Sequence, residues 1–143
     1  MDEMLIHQLG DTLYGALTGR TTIAPLTETY PDITIEDAYK ISLHLLDRRL
    51  AAGEKVIGKK IGVTSNAVMD MLDVRQPDFG FMTDAMRYDG EMPISRTLIQ
   101  PRAEGEIAFL LKKDLIGPGV TNEDVLSATE AVFPCFEVVD SRI

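Results

Sequence analysis

Leu5, Leu9, Leu13 and Leu17 recur four apart, one face of a helix, so the pattern predicts a first amphipathic helix from Asp2 to the breaker Gly19. Thr22 to Asp32 holds Pro25 and Pro31 with little periodicity and reads as a connector. Thr34-Ile35-Glu36-Asp37 then resembles a capping-box start. Ala38, Ile41, Leu45, Leu46 and Leu50 carry an apolar face until Gly53 ends the second helix. Beyond it the period shortens. Val56 to Val63 is a β-rich run that sends Lys59 and Lys60 to opposite faces, and Thr64 and Ser65 are candidate N-caps for a short helix through Leu72.

Pro77-Asp78-Phe79-Gly80 reads as a structured loop and Asp89-Gly90 as a turn. Strand alternation resumes from Leu98 to Leu111, with Ile107, Phe109 and Leu111 on one face and Glu104, Glu106, Ala108 and Leu110 on the other. After the turn Gly117-Pro118-Gly119, Thr121-Asn122-Glu123-Asp124 offers another helix start, followed by Val125, Leu126, Ala128 and Ala131 as its apolar positions. The last run, Val132 to Val139, alternates Cys135, Glu137 and Val139 against Phe136 and Val138. Periodicity alone supports an α+β class, with residues 1–55 helical and residues 56–143 β-rich.

Composition narrows the function. A net charge of −9, from 14 basic against 23 acidic residues, argues against a nucleic-acid surface. It also means that an anionic substrate would need a local positive charge from a metal or a placed lysine. No apolar run approaches the ~18 residues of a spanning helix, and the start Met1-Asp2-Glu3 is acidic where a secretory signal would be basic. The expectation is a cytoplasmic protein with no membrane partner. Cys135 has no second cysteine to pair with and reads as a small buried hydrophobe. His7 and His44 fall in helical segments without nearby Cys, which disfavours a zinc site.

Three acids stand out. Glu104 and Glu106, two apart in a strand, share a side, and Gly105 between them permits a close approach to the backbone. By itself such a pair reads as a solvated strand face or as half of a cation site. Glu137 lies among Phe133, Cys135, Phe136, Val138 and Val139, where a charge needs either a salt bridge, to Arg142 or Lys60, or a metal. If the three converge, an all-oxygen set favours a hard ion, Mg²⁺ first and Mn²⁺ second. Such an ion keeps about three positions open, two of which a 2-oxo or 2-hydroxy acid could take as a chelate. Asp78 fits equally an Asx-turn, and a strand lysine such as Lys60 is ordinarily exposed.

The strings GKKIGVTS (58–65), QPDFG (76–80), IQPRAEGEIAF (99–109) and EVVDSRI (137–143), together with APLTETYP (24–31), resemble the hydratase and decarboxylase family of meta-cleavage pathways, within the fumarylacetoacetate hydrolase-like superfamily. The resemblance runs in order through essentially the whole chain and corresponds to the N-terminal portion of relatives nearly twice as long. It implies an α/β fold in which N-terminal helices precede a mixed β-rich roll or sandwich, incomplete in this chain. It implies metal ligands at Glu104, Glu106 and Glu137, and proton transfer at Lys60 and Asp78. The reaction implied is hydration of 2-hydroxypenta-2,4-dienoate to 4-hydroxy-2-oxopentanoate in aromatic catabolism. Thr64 and Ser65 then either bind the substrate carboxylate or simply cap the helix.

Phe79, where relatives often carry Tyr, and Cys135-Phe136, where smaller or aliphatic residues are common, bear on substrate fit. The alternatives are 4-oxalocrotonate decarboxylase, a hydratase for a longer dicarboxylic 2-oxo acid, and a non-catalytic subunit of a hydratase–decarboxylase complex. Lys59, where decarboxylases tend to be aliphatic, favours a hydratase. The resemblance also implies a homo-oligomer and association with the decarboxylase.

Overall fold

A computed structural model describes residues 1–143. Five helices and four strands follow the order α1 (Glu3–Gly19), α2 (Leu26–Thr29), α3 (Ile35–Ala51), β1 (Val56–Gly62), α4 (Asn66–Leu72), β2 (Asp78–Thr83), β3 (Pro101–Leu111), α5 (Asn122–Ala128) and β4 (Thr129–Asp140), with a 3₁₀ turn at Asp84–Met86. Two compact units result, one formed by residues 1–97 with 142–143 and the other by residues 98–141.

In the first unit the two long helices start where their caps dictate. Asp2 accepts from the Leu5 amide at the head of α1. At the head of α3, Thr34 accepts from the Asp37 amide while the Asp37 carboxylate accepts from the Thr34 amide and hydroxyl, a reciprocal capping box. The core is small: Ile6 and Leu9 from α1 bury against Ile41 of α3, flanked by Leu5, Leu13, Leu26, Tyr30 and Ile33. Gly10 permits this packing, because a methyl there would come within 2.7 Å of the His44 ring. α1 ends on Arg20 in the left-handed region and α3 is followed by Gly53 at φ 102°.

β1 and β2 pair antiparallel, with Lys60 opposite Gly80 and Gly62 opposite Asp78. A buried network fixes this hairpin to the end of α3. Arg49 Nε donates to Glu54 Oε2 at 2.7 Å and its guanidinium to Thr83 Oγ1 at 3.1 Å, while the Thr83 hydroxyl donates to the same Glu54 oxygen. In the second unit β3 and β4 form a long antiparallel ribbon, and α5, opened by the Thr121–Asp124 capping box, leads directly into β4.

The α+β class stands, with the strands in two separate antiparallel pairs. Four local expectations need correction. The Pro-Asp-Phe-Gly segment is not a loop: Asp78 opens β2, because β1 supplies a hydrogen-bonding partner that the segment's own sequence does not announce. The connector after α1 contains the single-turn helix α2. Ala131 belongs to β4, since α5 stops at Ala128. Cys135 is exposed, because the β3–β4 ribbon is two strands wide and leaves its side chain uncovered.

Candidate metal centre and proton-transfer pair

The ribbon's register gathers the acids. Glu104 lies directly opposite Glu137, and Glu106 stands two residues along the same face of β3, diagonal to Glu137. One carboxylate oxygen from each lies within 4.8 Å of the others. Glu104 and Glu106 are exposed and Glu137 is half-buried. Nothing approaches Gly105 within 4 Å of where a side chain would begin, so the face of β3 opposite the two glutamates is open at that position.

Like charges at such spacing repel by about 1 kcal/mol per pair even at the dielectric of water, and a cation between them reverses the sign. A donor set of three carboxylates, with no sulfur or imidazole, matches a hard divalent ion. These residues therefore fit the metal that their arrangement suggests.

Asp140 was not singled out by its sequence context. Its Oδ1 accepts from the Ile99 amide at 2.8 Å and from the Gln100 amide at 2.7 Å, closing the end of the ribbon where Pro101 faces Asp140. That clamp lies three residue pairs from Glu104–Glu137 and holds their register. Its partners lie about 40 residues earlier in the chain, so no local pattern announces it.

In the first unit, strand alternation puts Lys60 and Asp78 on one face of the β1–β2 hairpin, with Lys60 Nζ 4.0 Å from Asp78 Oδ1. Lys59 goes to the other face, 5.7 Å above the Phe81 ring. On that face Tyr39 of α3 stacks on Phe79, with ring centroids 4.6 Å apart, and its hydroxyl accepts from the Phe79 amide at 3.3 Å. Tyr39 thus ties the residue after Asp78 to α3.

At the end of β1, Val63 has φ 55°, an unusual conformation for a β-branched residue and one that reverses the chain toward α4. Ser65 is the N-cap of α4, its hydroxyl oxygen accepting from the Val68 amide at 3.3 Å, and Thr64 precedes it.

No protein-family model matches the chain. It is similar to the 2-hydroxypent-2,4-dienoate hydratase of Pseudomonas putida, at 71% identity over 100% of this chain and 65% of that protein. To the 2-hydroxyhexa-2,4-dienoate hydratase of Comamonas testosteroni it is 63% identical, over 99% of this chain and 55% of that protein. Among solved structures, 4-oxalocrotonate decarboxylase from Pseudomonas putida G7, complexed with magnesium and adipate, superposes with a TM-score of 0.93 at 34% identity, covering 99% of this chain and 54% of that one. The same decarboxylase has been solved complexed with calcium and acetate. The chain thus spans between about half and two thirds of the relatives it matches. With 71% identity along its whole length and a fold shared with the decarboxylase, the chain belongs to this hydratase and decarboxylase family.

Proposed function

We propose that the whole protein is a hydro-lyase that adds water to 2-hydroxypenta-2,4-dienoate, giving 4-hydroxy-2-oxopentanoate, and that Glu104, Glu106 and Glu137 hold its divalent cation, Mg²⁺ in preference to Mn²⁺. The observation that carries the reading is the 71% identity to a hydratase of this specificity, over 100% of the chain. Convergence of the three carboxylates supports the cation, and so does the magnesium in the related decarboxylase. A bound Mg²⁺ would supply a Lewis acid for the 2-oxo and carboxylate oxygens of the substrate.

The chain's own residues handle protons. The dienol must become an α,β-unsaturated 2-oxo acid before its distal carbon accepts water, so one proton leaves the 2-hydroxyl and one arrives at C5. Asp78, an acceptor when ionised, takes or orients the first, and Lys60, a donor held beside it, supplies or stabilises the second. The hydroxyls of Thr64 and Ser65 donate to the substrate carboxylate; Ser65 can do so while its oxygen serves as the helix cap.

The decarboxylase fold match favours one rival, loss of CO₂ from a 2-oxo dicarboxylic acid. Assay of the whole protein on both substrates decides between them. Hydration of the dienoate, abolished by EDTA and restored by Mg²⁺ or Mn²⁺, is expected. CO₂ release from 2-oxohex-3-enedioate without hydration would overturn the assignment, and full hydration activity in metal-free protein would overturn the cation. Self-association and a complex with 4-oxalocrotonate decarboxylase belong to the same proposal, and light scattering of the protein alone and mixed with that enzyme checks both.

A further inference from the structure

The face of the β1–β2 hairpin that carries Lys60 and Asp78 has an unusual composition. Three cross-strand pairs lie along it, Gly58–Met82, Lys60–Gly80 and Gly62–Asp78, and each sets one side chain against a glycine. Facing residues in an antiparallel pair ordinarily bring their Cβ atoms to about 5 Å and stand side by side. With glycine opposite, the side chain instead folds down across the partner strand.

A methyl on Gly58 would lie 2.9 Å from Met82 Cε, and one on Gly80 would lie 3.2 Å from Lys60 Cγ. The tightest case is Gly62, where a methyl would overlap Asp78 Oδ1 and lie 2.9 Å from Lys60 Nζ. The carboxylate oxygen and the ammonium nitrogen meet above the same glycine. Its φ is unexceptional, so backbone freedom does not explain the residue, whereas the space it leaves does.

We infer that Gly62 is a positioning residue for the reaction: by lacking a Cβ it provides the floor on which the Lys60–Asp78 pair forms. The inference rests on the reading of Lys60 and Asp78 as proton-transfer groups. The three atoms nearest a methyl at this position all belong to the ends of the Asp78 and Lys60 side chains, so the hairpin can keep its register while the carboxylate is pushed away from the ammonium. The damage falls on the pair.

The test is a double-mutant cycle in the whole protein, with Gly62→Ala, Asp78→Ala and both together, reading kcat, KM and the urea midpoint of each. Gly62→Ala is expected to lower kcat by about tenfold to a hundredfold, with KM changed less than about twofold. Added to Asp78→Ala it is expected to do little further harm, since the carboxylate it overlaps is gone and only the flexible end of Lys60 remains near it. A Gly62→Ala enzyme within about twofold of wild-type kcat would overturn the inference, as would two effects that multiply.

Should Gly62→Ala fail to fold, recovery of folding in the double variant supports the steric relation, and failure of both variants refutes it. An Asp78→Ala enzyme with wild-type turnover sinks the proton-transfer reading instead. The steric claim is then decided by the midpoints: Gly62→Ala lowers the midpoint when Asp78 is present and leaves it unchanged in the Asp78→Ala background, and equal losses in both backgrounds refute it.

Discussion

Thr83 is fully buried, and its hydroxyl is shared between two charged partners, donating to Glu54 and accepting from Arg49, itself 7% exposed. Replacing it with the isosteric valine keeps the volume and removes both bonds, leaving a buried guanidinium and a carboxylate each short of a partner. Thr83→Val is therefore expected to cost about 1–3 kcal/mol in urea unfolding, and a loss below about 0.5 kcal/mol would show that the network contributes little. At this scale the candidate site was partly legible. Two-residue spacing alone put Glu104 and Glu106 on one side, but the pairing of Glu104 with Glu137 is a fact of strand register across 33 positions that no local pattern encodes. Asp140, which holds that register, was invisible for the same reason.

Elements with strong local signals stand where their sequences put them. The Leu5-Leu9-Leu13-Leu17 stripe gives α1, and the Thr34–Asp37 and Thr121–Asp124 boxes open α3 and α5. β2 was missed because Pro77 and Gly80 read as turn formers, and because its extended shape depends on pairing with β1. The start of α3 carries its own pH dependence. Asp37 accepts from the Thr34 hydroxyl and amide and from the Met1 ammonium at 3.0 Å, and these bonds, the Thr34 hydroxyl foremost, lower its pKa to about 2 from 3.8. A depressed carboxyl pKa stabilises the fold wherever the unfolded carboxyl is ionised, above about pH 4, and that contribution disappears as pH falls toward 2. Wild-type protein is thus expected to lose stability faster than Asp37→Asn between pH 4 and 2, the two curves converging at the acid end. Thermal melts that stay parallel across this window would rule the linkage out.

At the scale of the whole molecule, a net charge of −9 raises the local concentration of any divalent cation, so general screening and specific binding must be told apart. The carboxylate triad supplies the means. A ligand that binds only the folded state stabilises it by RT ln(1 + [L]/Kd), about 2.7 kcal/mol at a hundredfold excess over Kd, whereas screening acts on every acidic group alike. Mg²⁺ is accordingly expected to raise the melting temperature of the wild-type protein beyond the shift given by NaCl at equal ionic strength. The excess should vanish in Glu104→Gln/Glu106→Gln, where one of the three anionic ligands remains. It should persist in Asp78→Ala, which removes a carboxylate outside the triad and changes net charge by one unit. If Asp78→Ala lost the excess as completely as the double glutamine variant, the Mg²⁺ response would track overall charge and not the Glu104–Glu106–Glu137 arrangement. If all three proteins responded to Mg²⁺ as they do to NaCl, the carboxylates would be a solvated strand face. An excess confined to proteins that retain the triad makes it a cation site whose occupancy is thermodynamically linked to the fold.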